Sequence, residues 1–186
     1  MFRRNGTDYF DPDEAARRIL EANPGISLPE ANSIALLEGK RLLERAIAER
    51  LDFAFETTLG GHTIPRLLEA ALDAGIEVRV WFVGLGSPEL HLARVRARVA
   101  AGGHDIPESK IRERFDRSRL NLIRLLPKLT ELRVSDNSAE GDPARGAVPQ
   151  PRLIVHVAEG TVRETCAFED VPTWAKPIVM AALREK

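Results

Sequence analysis

Apolar and polar positions along this chain fall into two kinds of block. Short runs rich in aromatic and β-branched residues, 7–10, 53–55 and 78–85, read as strands. Longer stretches with apolar residues every three to four positions read as helices. The first helix is marked by Asp11 as N-cap, Pro12 at the first helical position and two acids behind it. It carries Ala15, Ala16, Ile19 and Leu20 and stops near Asn23-Pro24-Gly25. A second is expected over 29–50, with Ile34, Leu37, Leu42, Leu43, Ala46 and Ile47 as its apolar positions, and a third over 64–74, closed by Gly75. In 78–85, Val78, Val80, Trp81, Phe82 and Val83 predict a strand buried on both faces. Ser87-Pro88-Glu89 opens another helix. Beyond Pro107, Ile111, Phe115, Ser118, Leu122, Leu125 or Leu126 and Leu129 recur at helical spacing and predict a long helix facing the core. The Gly-, Pro- and Asp-rich stretch 136–151 predicts a loop. Segments 153–157 and 162–168 around Glu159-Gly160 predict a hairpin, and 172–184 a closing helix. Alternating short strands and helices predict an α/β fold with a mainly parallel sheet.

Composition changes this picture little. A chain of 186 residues fits one domain. Its net charge of −1 argues against a nucleic-acid partner, and among the arginines beyond Pro107 the one interleaved aromatic, Phe115, belongs to the core stripe. Cys166 is the one cysteine, so neither an internal disulfide nor a cysteine-built zinc site is available. The four histidines have no metal-ligand spacing, and no metal site is expected. No apolar run reaches the ~20 residues a membrane span needs, and the first residues lack a signal-peptide core, so a cytoplasmic protein is expected.

The candidate chemistry is acidic in one region and guanidinium-rich in another. Asp11 and Asp13 follow the first strand, and Glu56, Thr57 and Thr58 follow the second, ahead of Gly60-Gly61. Carboxylates at strand ends suit the orientation of a hydroxyl and acceptance of its proton. Asp11 and Asp13 also read as a helix cap and a first-turn acid. On the helix after Pro107, Lys110, Arg114, Arg117 and Asn121 share one flank. Arg94 and Arg98 lie one turn apart on the preceding helix. Such faces bind polyanionic oxygens, or are solvated surfaces laced with pairs such as Glu113 with Arg117.

Several segments together resemble the zeta-toxin-like P-loop kinases, in the branch with a Phe-Glu-Thr-Thr strand end and a Gly-Gly-His-x-Ile-Pro lid. They are Tyr9 through Glu14, Phe53 through Leu59, Ser87-Pro88-Glu89, Gly102 through Pro107, Arg114, Arg117, Asn121-Leu122 and Asp136-Asn137-Ser138, in the family's order. The resemblance implies a P-loop kinase-like three-layer sandwich, with 1–138 as the kinase domain and 139–186 as a loop, hairpin and helix packed on it. It implies an ATP-dependent small-molecule kinase using ATP and Mg²⁺, with a nucleotide and a small molecule as its ligands. Asp13 would activate the acceptor, with Glu56 beside it. Arg98, Arg114 and Arg117 would clamp phosphates, Thr57, Thr58, Gly60 and Gly61 would line the substrate side, and Arg114, Arg117 and Asn137 would face the nucleotide.

The 186 residues contain no glycine-rich Lys-Ser/Thr phosphate loop. Against the family pattern the N-terminal strand and that loop are missing, and the chain as it stands is expected to be inactive. A non-catalytic, anion- or partner-binding protein on a kinase-like fold is the alternative.

Overall fold

The computed structural model describes residues 8–103, 105–139 and 150–184. Their contacts form two compact units, 8–58 with 62–76, and 59–61 with 77 onward. Strands on either side of residue 138 pair directly within the second unit. The fold is α/β, with open sheets of mixed direction.

In the first unit, β1 (Asp8–Phe10) and β2 (Phe53–Phe55) form a two-stranded parallel sheet with Tyr9 opposite Ala54. The connection runs through α1 (Pro12–Ala22) and α2 (Leu28–Glu49), and α3 (Thr63–Asp73) follows β2. Asp11 caps α1 as its sequence context implies. Its Oδ1 accepts the backbone N–H of Asp13 at 2.9 Å and of Glu14 at 3.2 Å. A reciprocal capping box starts α2. The Ser27 hydroxyl accepts from the Glu30 N–H, and the Glu30 carboxylate accepts from the Ser27 N–H at 2.8 Å.

Ala15, Ala16, Ala31 and Ala35 are buried together, small enough to let α1 and α2 approach closely, with Phe10, Ile19, Leu20 and Ile26 around them. The buried stripe of α2 is therefore Ala31, Ala35, Leu43 and Ala46, while Ile34 and Leu37, expected to face inward, are exposed. Gly39 is required where Phe10 crosses α2, since a Cβ there would stand 2.5 Å from the phenyl ring.

The second unit holds β3 (Arg79–Gly84), β4 (Glu131–Asp136), β5 (Arg152–Ala158) and β6 (Thr161–Thr165) in that spatial order. Only β3 and β4 are parallel; β4–β5 and β5–β6 are antiparallel, so the sheet is mixed and the expectation of a mainly parallel sheet is corrected. The hairpin of β5 and β6 ends at Thr165, and Phe168 lies in the 3₁₀ turn beyond it. Asp136 belongs to β4, so the loop begins after it; residues 140–149 lie outside the described residues.

Burial along β3 alternates. Arg79, Trp81 and Val83 are exposed, while Val80, Phe82 and Gly84 are partly buried. The strand is thus covered on one face, against the expectation of two, and it occupies an edge of its sheet.

Against this sheet the unit sets α4 (Pro88–Ala100), α5 (Glu108–Leu125), a 3₁₀ turn (Leu126–Lys128) and α6 (Lys176–Ala182). Its buried side chains include Leu122 and Leu125 of α5, Leu132 and Val134 of β4, Ile154 and Val155 of β5, and Ile178 and Val179 of α6. No helix among the described residues is long and apolar enough to cross a membrane.

Candidate functional site

In the first unit, the residues expected to do acid–base chemistry stand at the carboxyl ends of β1 and β2. Asp13 is exposed in the first turn of α1. Glu56 extends the pairing of β2, its backbone N–H donating to the Phe10 carbonyl at 3.0 Å, and its carboxylate accepts the Tyr9 hydroxyl. Tyr9 therefore orients Glu56, a partner that spacing along the chain does not disclose. Thr57 and Thr58 follow, both exposed. Parallel pairing brings the ends of β1 and β2 together, and with them the acids at both strand exits.

In the second unit, Leu59–Gly61 form a strap pinned to α5. The Asn121 carboxamide donates to the carbonyls of Leu59 at 2.8 Å and of Gly61 at 3.0 Å. Leu59 is buried and adopts a left-handed backbone, with φ of 54°. Gly60 lies directly against Arg114, where a Cβ would come within 2.7 Å of its Cγ and 3.1 Å of its Cα. A side chain at residue 60 would push the strap off the helix, so the glycine here serves close approach. Gly61 has open space at its Cα and contributes its carbonyl. Asn121→Ala should loosen the strap by removing both donors, costing about 1–2 kcal/mol of stability in urea unfolding. Faster amide exchange confined to residues 59–61 would accompany it, and an unchanged midpoint would show that the strap holds by packing alone.

The arginines of α4 and α5 separate into two classes. Arg117 donates to Glu113 at 2.5 Å, and Lys110 reaches the same carboxylate at 3.1 Å and holds its pKa below the ordinary range. Arg112 is shared by Glu89 and Glu108, and Arg119 pairs with Asp116 while its guanidinium lies 4.2 Å above the Phe115 ring. Apart from Arg112–Glu89, which joins α5 to α4, these are the i, i+3 and i, i+4 pairs of a helix surface.

The second class faces elsewhere. Arg94 donates to the carbonyls of Asn137 at 2.7 Å and Ala139 at 3.2 Å and pairs with no acid among the described residues. The stem of Arg98 is held under Gly103, whose N–H donates to the Arg98 carbonyl at 2.9 Å. Arg114 makes no ion pair among the described residues. Between α4 and α5, Leu92, Val95 and Ile111 pack with Ile106 and fix the two helices together. His91, one turn before Arg94, is half-buried. Burial first, then the charges of Arg98, Arg94 and Arg114, hold its imidazole pKa below the ordinary value of 6.5. Arg94 and Arg98 of α4 and Arg114 of α5 thus share one neighbourhood around His91, a cationic basin.

Beside the basin lie the exits of β3 and β4. The Asn137 N–H donates to the Gly84 carbonyl at 2.9 Å, continuing the parallel pairing by one residue. The Trp174 indole lies on Gly84 and donates to Asp136 Oδ1 at 3.0 Å, and Ser138 donates to the same carboxylate oxygen. The Asn137 Oδ1 is buried and finds no donor among the described residues. Such an oxygen costs free energy until it gains a donor.

Asp13, Glu56, Thr57 and Thr58 thus belong to the first unit, and Gly60, Gly61, Arg98, Arg114 and Asn137 to the second. Arg117 sits on α5 as expected but is committed to Glu113. His104, at the centre of the lid motif, lies outside the described residues. Arg94 and Arg98 are named from the sequence and His91 is not; its signal is the i, i+3, i+7 series His91, Arg94, Arg98, which puts three basic groups on one helical face.

Comparison with known proteins adds a relationship and no activity. No family model matches the chain, and no solved structure matches it. An uncharacterized protein of Haemophilus influenzae is 32% identical over 106 residues, which is 57% of this chain and 73% of that protein. At that identity and coverage, the chain belongs to the same family as this uncharacterized Haemophilus influenzae protein.

Proposed function

We propose that this chain carries the acceptor-activating and lid elements of an ATP-dependent small-molecule kinase of the zeta-toxin-like kind, on a P-loop kinase-like fold. The observation that carries the reading is the basin of Arg94, Arg98 and Arg114 beside the exits of two parallel strands. Guanidinium forks suit phosphate oxygens, and strand exits are where α/β enzymes bind nucleotides.

The residues present fit part of ATP. The orphaned Asn137 Oδ1 would accept an N–H from the base, and the basin would face the phosphates. Bound ATP would supply the phosphoryl group. Asp13 would orient the acceptor hydroxyl and take its proton, and Glu56, fixed by Tyr9, would hold a second polar group of the acceptor. The main electrostatic cradle of such enzymes, a glycine-rich loop with its lysine, is not among these 186 residues. By themselves they are expected to show no phosphate transfer. With such a loop supplied in the same polypeptide, radiolabelled ATP should phosphorylate a component of a small-metabolite pool. Transfer by the 186 residues alone would overturn the role given to the loop; no transfer in either form would overturn the kinase.

A second reading is favoured by one specific observation: the second unit contains the whole basin, its own sheet and its own buried core. An anion-binding protein without turnover needs nothing more. Tight binding of a nucleotide or sugar phosphate without transfer, in the form that carries the loop, would select it.

A further inference from the structure

The first unit contains a cavity apart from the acids at the strand exits. Its volume is about 470 Å³, and the residues bordering it all lie in that unit. One side is a face of α1, where Ala15, Ile19 and Ala22 recur at i, i+4 and i+7. Another is a face of α2, where Leu42 and Ala46 stand one turn apart, and Phe10 of β1 and Phe53 of β2 add to the wall. Ala15 and Ala46 are buried, while Phe10, Ile19, Leu42 and Phe53 are half-buried, so the interior is apolar. The volume falls within the roughly 300–1,000 Å³ of small-molecule sites, which pair such a wall with a few polar groups. Neither Asp13 nor Glu56 borders the cavity; Tyr9 does, with its hydroxyl committed to Glu56.

The rim decides what kind of molecule fits. Four exposed charged residues border the cavity: Arg18, Arg45, Glu38 and Asp52. Both arginines are matched by acids that do not border it. Arg18 pairs with Glu14 at 3.9 Å, and the Arg45 Nε donates to both carboxylate oxygens of Glu49 at 3.1 Å. Glu38 and Asp52 make no hydrogen bond or ion pair among the described residues. The rim therefore carries two unmatched carboxylates, and an ionised carboxylate only accepts hydrogen bonds. An anionic ligand would face both of them and could reach a guanidinium only by opening an existing pair. A primary ammonium group brings three donors and the opposite charge. We propose that this cavity is a binding site for an organic cation, an amine with an apolar body, whose ammonium donates to the carboxylates of Glu38 and Asp52 while the body lies against Phe10, Ile19 and Leu42. The site needs no phosphate loop and does not depend on the kinase reading.

The test uses three probes with one indole body: tryptamine as the cation, tryptophol as its neutral counterpart and indole-3-acetate as the anion. Each is titrated into the 186-residue chain while backbone amide shifts are followed by NMR. Tryptamine should shift amides of residues 15–22 and 42–53 and bind about tenfold tighter than tryptophol, the scale of one hydrogen bond to a charged group. Indole-3-acetate should bind weakest. Glu38→Gln combined with Asp52→Asn, both at exposed positions, should abolish the preference for tryptamine and leave tryptophol binding nearly unchanged. Ala22→Phe, at the exposed end of α1, should obstruct the cavity and weaken tryptamine and tryptophol alike. Equal affinity for tryptamine and tryptophol, or a preference that survives the double variant, would overturn the cation assignment. Absence of shifts along α1 and α2 with all three probes would mean that the cavity is a packing void, and the site itself would fall.

Discussion

Leu122→Ala is expected to cost about 3 kcal/mol of stability, within the range of 2–5 kcal/mol for a leucine deleted from a packed core. Leu122 has no solvent exposure, and α5 also supplies buried Ile111, Ser118 and Leu125. Two elements flank α5 in the second unit. α4 is joined to it through Leu92, Val95 and Ile111, and the segment at Trp174 accepts from Arg119. Neither can slide inward without breaking those ties, so the vacated volume should remain largely unfilled. Urea unfolding should show the midpoint falling with the slope unchanged. Leu120→Ala, at a position 65% exposed two residues earlier, is the control and should shift the midpoint little. Equal effects at the two positions would mean that the second unit lacks the fixed core described above.

Local signals in the sequence located most elements because their chemistry is local. Asp11-Pro12 and Ser87-Pro88-Glu89 start α1 and α4 with side chains that satisfy the first N–H groups, independent of the rest of the chain. The strand β2 needed only its aromatic run. β4 escaped because its buried positions are Leu132 and Val134 alone, with charged Glu131 and Arg133 pointing outward, directly behind a helix whose last apolar residue is Leu129. Counted with the helix, those residues show no change of period. Strand direction escaped for a different reason. A run of six residues reads the same in parallel and antiparallel pairing, so the antiparallel return of β5 against β4 is visible only in their register. The burial of β3 follows from its partners too, since an edge strand has one neighbour and, here, one covered face.

The site was legible as residue types and obscure as contacts. Gly60, Arg114 and Asn121 all stand in recognisable segments, yet nothing in their spacing says that the glycine carries the arginine stem while the asparagine ties down its neighbours. The flank of α5 holding Arg114 and Arg117 looked uniform at the level of helical spacing. Ion-pair geometry divides it, because Glu113 lies one turn before Arg117 and draws that guanidinium away. Position on a helix face therefore names candidates for a phosphate clamp, and the nearest carboxylate decides which of them remain available.

That division supports the largest expected effect on activity. In a form of the protein that transfers phosphate from ATP, Arg114→Ala should lower turnover about 10³-fold, the scale on which a transition-state guanidinium acts in phosphoryl transfer. Arg117→Ala should cost much less, because its charge is already shared with Glu113 and Lys110 lies on the same carboxylate. Arg114→Lys separates charge from geometry: an ammonium keeps the charge and loses the fork, so partial rescue is expected. The Gly60 contact gives a further check, since a Cβ there would meet the Arg114 stem. Gly60→Ala should displace that stem and lower turnover in the same direction as Arg114→Ala, and the double variant should be little worse than Arg114→Ala alone. Equal losses at Arg114 and Arg117 would mean that the Glu113 pair opens during turnover. No loss at Arg114 would remove it from the chemistry and return this flank of α5 to a solvated surface.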